Sequence, residues 1–289
     1  MDPDSGGYFN ASMLFKASVL TVSFSAIYFY RPEKFRQFIA KPVATKDSVI
    51  EKPAKKARQK KKRKTIYLSF DDGPDKGTKN VMAILHAEQV PATLFVIGKH
   101  VYGSRDQKAI YDSILQCSLF EVANHSYTHA YENHFYQFYN LPDSAAKDFK
   151  RCADSLNLSD NIIRTPGRNI WRTDNISSTD LKASKATADT LYQRGYTAIG
   201  WDLEWHFNTA QRLVQTDSEM VIMVDSVFAR NQTKTKNCLV LLAHDRTFAK
   251  PDDSARLHRF ISALKKKDEY DFETVNTYPG LTKDTVNTK

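Results

Sequence analysis

The sequence predicts an α/β fold, a (β/α)7 barrel, behind a hydrophobic N-terminal segment and a basic linker. Two observations favour this fold. From residue 65 onward, seven short apolar runs typical of strands alternate with stretches of helical periodicity, which favours a parallel sheet. The stretch 65–289 is also long enough for a closed barrel, which fits its length better than an open sheet does.

The strand candidates start just before a pair of acidic residues and continue to the C-terminal region. In chain order they are TIYLSF (65–70), ATLFVI (92–97), LFEVAN (119–124), IIRTP (162–166), YTAIGW (196–201), CLVLLAH (238–244) and DFETV (271–275). We expect helices between most of them. The clearest is the last, whose apolar positions recur at i, i+3, i+4 and i+7, namely Leu257, Phe260, Ile261 and Leu264.

The first 30 residues differ in character from the rest of the chain. Residues 13–30 are almost entirely apolar, and they predict a membrane anchor or a signal within the segment 1–30. No small-residue cleavage site follows, so we favour an uncleaved anchor, with the domain 65–289 outside the cytoplasm, in the cell envelope or periplasm. The basic residues after the span argue for the opposite orientation. An amphipathic helix that lies on a membrane or on a partner is the alternative.

Residues 31–64 are predicted to be a linker, because they hold three prolines, many lysines and no sustained apolar period. The stretch 54–64 carries eight Lys or Arg, and subtracting these from the net charge of +9 leaves +1. The folded part is therefore not a strongly basic nucleic-acid binder, and we expect no specific nucleic-acid partner. Three cysteines without paired spacing do not suggest a disulfide framework. We expect a monomer.

Polar clusters follow five of the predicted strands. Chemistry in a β/α barrel lies at the carboxyl ends of the strands, so the topology would bring these clusters to one rim. They are Asp71 and Asp72 after the first strand, NHSYTH (124–129) after the third, RTPGRN (164–169) at the fourth, WDLEWH (201–206) at the fifth, and His244 with Asp245 at the sixth. Together they predict the functional site.

His125 and His129 are four residues apart, which would place both imidazoles on one face of a helical turn. Two such histidines can share a divalent metal, and a carboxylate from the first strand is a suitable third ligand. Two exposed or hydrogen-bonded histidines are the alternative for an isolated pair. With two carboxylates on a neighbouring strand end we favour one metal ion, and zinc over cobalt or nickel.

The neighbouring carboxylates Asp71 and Asp72 would repel each other at a poorly solvated strand end, and a cation beside them would relieve that repulsion. One Asp would bind the metal. The other would stay free as a general base for a water whose pKa the metal lowers from about 15.7 toward about 7. A turn capped by Asp72, Gly73 and Pro74 is the alternative, but it does not explain the second acid.

Three further residues have both a structural and a functional interpretation. Arg164 would hold one carboxylate ionised and oriented, or form a surface ion pair. His244 emerges from a very apolar strand, and it is either a core residue or a general acid whose pKa a nearby acid such as Glu204 raises. Trp205 would wall a pocket for a sugar face or an acyl methyl group, or lie in the core, whereas we expect Trp201 in the core.

In their order and combination, these motifs resemble the polysaccharide deacetylases of carbohydrate esterase family 4. The motifs are SFDDGP, H-S-x-x-H, R-x-P, an acidic residue before a Trp, and a late apolar strand that ends in His, and the resemblance covers roughly residues 65–280. It implies a distorted β/α barrel and metal-dependent removal of N- or O-linked acetyl groups from a polysaccharide. The resemblance implies Asp71 as the base, with Arg164 to orient it, and Asp72, His125 and His129 as metal ligands. It implies His244 as the acid, with Glu204 or Asp202 to orient it. The backbone N–H of Gly167 would lie in the oxyanion hole.

The sequence departs from the family pattern at two motifs. Gly167 stands where the family usually has an aromatic residue, so a ring that faces the substrate is lost. WDLEW stands where the family usually has D-x-x-D-W, which leaves two candidates, Glu204 and Asp202, for the acid that orients His244. The stretch NIWRTD (169–174) is not part of the general motif, and Arg168, Trp171 and Arg172 have no assigned role. A longer loop that lines the substrate groove is the alternative.

Two other functions are weighed against an enzyme that acts on an acetylated polysaccharide. A non-catalytic carbohydrate-binding protein on the same barrel would be expected to have lost metal or acid positions, and all of them are present. A metal-dependent phosphoesterase would be expected to carry additional carboxylate or histidine ligands for a second metal, and no such set is found in the sequence. The sequence leaves the polymer open.

Overall fold

The computed structural model describes residues 63–281. The predicted hydrophobic segment 13–30, and all but the last two residues of the predicted linker, lie outside the described residues. Within the described range, no helix has both the length and the apolar character needed to cross a membrane.

Within residues 63–281, ten strands make up one sheet. They are β1 (Lys64–Gly73), β2 (Ala92–Val96), β3 (Phe120–Asn124), β4 (Ile162–Ile163), β5 (Ile170–Arg172), β6 (Ser177–Thr179), β7 (Thr197–Ala198), β8 (Leu203–Glu204), β9 (Cys238–His244) and β10 (Tyr270–Phe272). Each of the seven predicted strands overlaps one of these. The other three were not predicted: β5 and β6 pair with each other antiparallel, and β8 lies inside the WDLEWH stretch.

The strand order is β6-β5-β7-β4-β3-β2-β1-β9-β8, and β10 pairs with the start of β1. From β7 to β8 along this order, neighbouring strands are parallel, so their carboxyl ends lie along one rim. The order ends at β6 on one side and at β8 on the other, and these two strands do not pair within residues 63–281. The barrel is therefore open and distorted.

Helices connect most of the strands. They are α1 (Thr78–Glu88), α2 (Gly98–Val101), α3 (Arg105–Leu115), α4 (His129–Asn133), α5 (Phe135–Asn140), α6 (Pro142–Leu156), α7 (Lys185–Gln193), α8 (Asp217–Ala229) and α9 (Pro251–Lys266). The apolar stripe predicted for the last helix is buried in α9. The short segment α4 differs from the others, because all of its residues have positive φ values and it turns left-handed.

β1 lies inside the sheet and is buried from Ile66 to Gly73, as expected of a parallel strand that is covered on both faces. One apolar cluster joins β1 and β9 to α1, α8 and α9. Alternate residues of the same two strands, such as Tyr67 and Val240, contribute to a second cluster on the opposite face. This packing fixes the carboxyl ends of β1 and β9, where Asp71 is paired with His244 in the ladder.

Candidate active site

A β-bulge at the end of β1 explains how two adjacent carboxylates serve one site. Asp71 and Gly73 pair with consecutive residues of β2, so Asp72 is the extra residue, and its φ is +77°. Successive side chains of a regular strand point to opposite faces, and a bulge re-aims one of them. Here both carboxylates reach His125, whose Nε2 lies 3.7 Å from Asp71 Oδ2 and 3.4 Å from Asp72 Oδ1.

The loop after β3 carries both predicted histidines, although not on a right-handed helical turn as predicted. Ser126 and His129 have φ values of +64° and +52°, in a left-handed region that is costly for L-residues. Side chains hold this loop: Asn124 Oδ1 accepts the N–H of Ser126 at 2.9 Å, and the hydroxyl of Thr128 donates to Asp148 at 3.0 Å. The prediction of a helical turn is wrong, but the two imidazoles meet, with ring centroids 5.2 Å apart.

Asp72, His125 and His129 form a cluster with the spacing of a metal site. Oδ1 of Asp72 lies 3.4 Å from Nε2 of His125 and 3.1 Å from Nε2 of His129. In the part of the chain that the structure describes, no other group of three or more His, Cys, Asp or Glu brings its ligand atoms within 4.8 Å of one another. Oδ1 of Asp72 is buried without a hydrogen-bond partner, although buried polar atoms are normally paired.

The hydrogen bonding of His125 also fits a metal ligand. Its Nδ1 lies 2.9 Å from the backbone carbonyl oxygen of Arg164. Since a carbonyl only accepts, Nδ1 carries the hydrogen and Nε2 offers its lone pair to the cluster. Two imidazole nitrogens and one carboxylate oxygen suit zinc, cobalt or nickel. The three residues therefore fit a divalent metal ion.

The charges of the cluster are strongly coupled. Burial acts to raise the pKa of Asp72, but the interactions of its carboxylate with the imidazoles of His125 and His129 outweigh burial and hold that pKa well below its usual value. The pKa of His125 is raised, because the charges of Asp71 and Asp72 outweigh burial, which acts to lower it. The site thus stabilises positive charge among these side chains.

Arg164 orients Asp71 from within the core, which excludes the surface ion pair. The side chain of Arg164 is fully buried, and its Nη1 donates to Asp71 Oδ1 at 2.9 Å and to Ser69 Oγ at 2.7 Å. Its other nitrogens donate to the backbone carbonyls of Ile199 and Gly200, at 3.1 and 2.9 Å. Oδ1 of Asp71 is therefore fixed by the guanidinium, and Oδ2 is left facing the histidine cluster.

His244 lies at the same rim, next to the carboxylate pair. Its Nε2 is 4.0 Å from Asp72 Oδ2, its ring packs against that of Phe207 with centroids 4.8 Å apart, and its Nδ1 has no hydrogen-bond partner among the described residues. Burial lowers the pKa of His244, and the opposing charges of Asp72 and Asp71 do not offset burial. Glu204 does act to raise this pKa, as predicted, but burial outweighs it and the net direction is downward.

Neither acid of the WDLEW stretch hydrogen-bonds to His244. Oε1 of Glu204 lies 3.4 Å from Nδ1 of His206 instead. Asp202 accepts the backbone N–H groups of Lys234 and Val240 at 2.7 and 2.9 Å, which ties the chain before β8 to the start of β9. Burial raises the pKa of Asp202 to about 6. Asp202 is thus a structural residue, and Glu204 does not orient His244 through a direct contact.

Trp205 is a core residue and not the wall of a substrate pocket, which corrects the prediction. It is fully buried, and its ring lies 5.1 Å from that of Phe260 and 6.0 Å from that of Phe248. Its Nε1 donates to the carbonyl of Gln215 at 3.0 Å. The Trp points inward because β8, which sequence periodicity did not reveal, turns that side chain toward α9. Phe207, the residue after this stretch, packs against His244 at the rim instead.

Gly167 lies one aromatic ring away from the metal-site histidines. Its φ is +63°, and a Cβ at this position would lie 2.8 Å from Cε1 of Phe135. The ring of Phe135 also packs edge-on against His129, with centroids 5.9 Å apart. The space beside residue 167 is therefore filled by Phe135 of α5.

The stretch 168–172, which the sequence left without a role, is structural. Trp171 is fully buried. Nη2 of Arg172 lies 2.8 Å from Asp189 Oδ1, and the side chain of Asn169 exchanges two hydrogen bonds, of 2.9 and 3.1 Å, with the backbone of Trp201. These contacts attach β5 to α7 and to the end of the neighbouring strand β7.

Sequence reasoning missed two residues at the site. Arg246 forms an ion pair with Oδ2 of Asp72, and Nδ1 of His100 lies 2.9 Å from the backbone carbonyl oxygen of Asp72. Both residues line a groove of about 300 Å³ that also includes Asp72 and His129. A signal existed for Arg246, which comes two residues after His244 at a strand end. His100 lies in α2, beyond the end of β2, where no polar cluster marks the rim.

Comparison with known proteins shows what this rim is similar to. Residues 58–166 match the model of the family described as polysaccharide deacetylase. This part of the chain is similar to the polysaccharide deacetylases. The matched stretch contains both aspartates of β1, both histidines of the cluster, and Arg164, so the resemblance inferred from the motifs is confirmed.

Several curated proteins are similar to this chain, and the matches differ in length. A chitin disaccharide deacetylase of Vibrio alginolyticus is 26% identical, over 49% of this chain and 47% of its own length. A chitooligosaccharide deacetylase of Rhizobium leguminosarum is 41% identical over 68 residues, which are 23% of this chain and 28% of the relative. The chain thus spans about half or less of these relatives. A peptidoglycan-N-acetylglucosamine deacetylase of Bacillus cereus is 25% identical over 81% of each chain.

Solved structures confirm the fold of this chain. A CE4 esterase from Streptococcus mutans superposes with a TM-score of 0.56 at 22% identity, over 73% of this chain and 86% of the other. A family 4 carbohydrate esterase from Streptomyces lividans, solved with acetate, gives a TM-score of 0.54 at 19% identity, over 75% and 95% of the two chains. At such identities the likeness shows the fold alone, and it confirms the predicted distorted β/α barrel.

Proposed function

We propose that this protein is a metal-dependent hydrolase that removes acetyl groups from an acetylated polysaccharide. The observation that carries the proposal is the cluster of Asp72, His125 and His129 beside a second carboxylate, Asp71, that a buried arginine holds in place. The relatives support it, because their names specify deacetylases of chitin oligomers and of peptidoglycan. We therefore favour the amide of an N-acetylated amino sugar over an acetyl ester.

Asp72, His125 and His129 would hold the metal, and zinc is the ion that we favour over cobalt or nickel. When bound, the metal would lower the pKa of a water and polarise the acetyl carbonyl. Oδ2 of Asp71, the oxygen that Arg164 does not hold, would accept the proton of the attacking water. The arginine serves this step by holding Oδ1 of the carboxylate, so that Oδ2 faces the cluster.

His244 would donate a proton to the leaving amine, because its imidazole lies at the rim near the carboxylates. Its lowered pKa makes its protonated form a stronger acid. The backbone N–H of Gly167 would stabilise the oxyanion, and Phe135 would supply an apolar surface between that glycine and His129. Glu204 is not assigned a role in this mechanism.

Three features beyond the barrel are part of the same proposal. Residues 13–30 would anchor the protein to a membrane, with the domain that begins at residue 65 outside the cytoplasm. Such a location suits a polymer of the cell envelope. The protein would act as a monomer without a nucleic-acid partner. Membrane fractionation, followed by protease digestion of intact and lysed cells, would test the anchor and the side on which the domain lies.

Acetate release tests the function directly. The zinc-loaded protein should release acetate from acetylated chito-oligomers or peptidoglycan, and chelation of the metal should abolish the release. Acetylated xylan serves as the ester control, and a phosphodiester substrate tests the phosphoesterase alternative. Binding of a glycan without acetate release, by protein shown to contain zinc, would contradict the proposal and favour the non-catalytic carbohydrate-binding protein.

Substitution of the two aspartates separates their roles. Asp72→Asn should lose the metal, because a neutral amide is a poor replacement for an anionic ligand. Asp71→Asn should retain the metal and lose turnover on the order of 10²–10⁴-fold, because an amide cannot accept the proton of the water. Metal content of the purified variants is measured beside acetate release. The control is Asp217→Asn, on the surface ion pair with Arg259, which should change neither. Equal metal loss in the two site variants would refute the assignment.

A further inference from the structure

Arg246 places a positive charge in contact with the proposed metal ligand Asp72. It lies two residues after His244, in the turn that follows β9, and its guanidinium forms an ion pair with Asp72 Oδ2. The same guanidinium lies over the ring of Phe207, 5.2 Å from the centroid. The side chain of Arg246 is 36% exposed, whereas that of Asp72 is 5% exposed. Arg246 thus reaches a buried carboxylate from the groove at the rim.

The two oxygens of Asp72 have different partners. Oδ1 faces Nε2 of His125 and Nε2 of His129, while Oδ2 contacts Arg246 and lies 4.0 Å from Nε2 of His244. A metal held by the histidines would use Oδ1, so Arg246 does not block the ligand atom. It does share the carboxylate with the metal, and its charge reduces the negative charge that attracts a cation.

The balance of charge at the site makes this effect large. The two carboxylates of Asp71 and Asp72 are already matched by two guanidinium groups, one from Arg164 and one from Arg246. A divalent cation would therefore enter a site whose two nearest carboxylates are already paired with guanidinium groups. The guanidinium of Arg164 pairs with Asp71 and is fully buried. The partly exposed guanidinium of Arg246 is therefore the positive charge beside Asp72 that can be removed from the surface.

Arg246 is not needed to orient Asp72. The side chain of Asp72 is only 5% exposed. The bulge fixes the backbone of Asp72, and Nδ1 of His100 lies 2.9 Å from its backbone carbonyl oxygen. An exposed arginine adds little positional restraint to a side chain that is packed on these sides. Its principal effect on a metal ion is electrostatic repulsion.

We propose that Arg246 sets the metal affinity of this site by stabilising Asp72 in the metal-free protein and by opposing the bound cation. The inference rests on the proposed metal site. A group that stabilises the metal-free protein more than the metal-bound protein weakens metal binding. The loss in binding free energy is the difference between the two stabilisations. The affinity is thereby tuned below what two imidazoles and a carboxylate alone would give.

Neutral replacement of Arg246 tests the proposal on the full chain. Arg246→Met keeps an apolar stem on Phe207 and removes the charge, so the zinc Kd, measured by competition with a chromophoric chelator, should fall about 10- to 100-fold, the scale of effect for groups that contact a metal ligand. Arg246→Lys keeps the charge without the planar contact and should give a Kd between those of the wild type and the Met variant. Arg259→Met, which removes a surface ion pair with Asp217, should leave the Kd unchanged.

Thermal unfolding supplies a second readout that does not depend on activity. The metal-free Met variant should melt below the metal-free wild type, and the rise in Tm on adding zinc should be larger in the variant. A Kd that is unchanged or raised in Arg246→Met would overturn the inference. If that variant does not fold, a Lys variant whose Kd is no lower than the wild-type value overturns it equally.

These results are distinguishable from failure of the proposed function. Zinc binding by the wild type without acetate release would refute the proposed hydrolase activity. The role of Arg246 would then still be decided by the zinc Kd of the wild type and of Arg246→Met. Absence of zinc binding in both the wild type and Arg246→Met would overturn the metal site and the inference together. Zinc binding by the Met variant alone would support the inference in its strongest form.

Discussion

Asp71 and Asp72 are adjacent and chemically identical, yet they are held by different partners. Asp71 is fixed by a guanidinium on the core side, whereas Asp72 contacts two imidazoles and the rim residue Arg246. The bulge makes this division possible, because in a regular strand one of the two carboxylates would face away from the site. Environment, rather than residue type, therefore assigns the roles that we propose for them.

Glu121 is a second buried carboxylate whose surroundings determine its charge, and it lies away from the site, on β3. Its Oε2 accepts hydrogen bonds from the hydroxyl of Thr93 and, at 3.2 Å, from the N–H of Asn276, while its Oε1 has no partner among the described residues. Burial raises the pKa of Glu121 from its usual 4.5 to about 7. The folded protein thus favours the protonated acid.

The raised pKa of Glu121 predicts a stability that depends on pH. Between pH 4.5 and about 7 the folded state binds more protons than the unfolded state, so this contribution is complete below the lower value and is lost as the pH rises through the higher one. Glu121→Gln, which stays neutral, should be more stable than the wild type at pH 8 by up to roughly 3 kcal/mol. At pH 4 this advantage should disappear.

Urea unfolding across this pH range measures the effect. Glu273→Gln is the matched control, because Glu273 is exposed, and its unfolding free energy should follow that of the wild type. A difference between Glu121→Gln and the wild type that does not vary with pH would show that the effect of the substitution does not come from the titration of Glu121.

At the scale of elements, the strands were predictable and the loops between them were not. Apolar runs such as CLVLLAH are local patterns, and each predicted strand exists because burial on both faces selects such a run. Elements of two or three residues, such as β8, carry too little periodicity to be recognised. Without β8, the inward direction of Trp205 could not be inferred.

The residues of the candidate site were predictable as types at strand ends, but their contacts were not. The pairing of Arg246 with Asp72 joins residues 174 positions apart, and no local pattern encodes that proximity. The left-handed turn at His129 likewise depends on side chains of neighbouring elements, such as the contact of Thr128 with Asp148. The local sequence encodes where a residue lies along its strand. Which side chain it contacts depends on the tertiary fold.

The contact of α5 with the loop after β4 predicts a measurable coupling between Phe135 and Gly167. Gly167→Ala should destabilise the protein for two reasons: a φ of +63°, which costs an L-residue about 1 kcal/mol, and a Cβ only 2.8 Å from Cε1 of the ring. In a Phe135→Ala background only the backbone cost should remain. Gly195→Ala isolates that backbone cost, since its φ is +86° and its Cβ would meet nothing within 4 Å.

Unfolding free energies of the single and double variants form the required cycle. Gly167→Ala should cost more than Gly195→Ala in the wild-type background and about the same in Phe135→Ala. Equal costs in both backgrounds would mean that the ring moves aside freely, and that α5 does not hold Phe135 against the loop.

At the scale of the whole molecule, the start of the folded domain lies slightly before the predicted boundary. β1 begins at Lys64, whose ladder partner is Tyr270 of β10. Arg63 donates from Nε to Asp271 and from Nη2 to the carbonyl of Tyr270, both at 2.7 Å. The last two residues of the predicted linker thus take part in the pairing of β1 with β10. The domain without these two basic residues has a net charge close to zero.

Truncation tests this boundary. A chain that starts at Gln59, where the compact unit containing the barrel begins, should fold, bind zinc and unfold at the same temperature as the full chain. A chain that starts at Thr65 should also fold and bind zinc, but with a lower Tm, because it lacks the first ladder residue of β1 and the contacts of Arg63 with Tyr270 and Asp271. Arg63→Gln in the longer chain separates the two losses, since it keeps the strand and removes only the guanidinium contacts. Aggregation of the chain that starts at Gln59 would show that residues before it are required for the fold. Equal Tm values for the chain from Gln59, the chain from Thr65 and the Arg63→Gln variant would show that the pairing with β10 adds no stability.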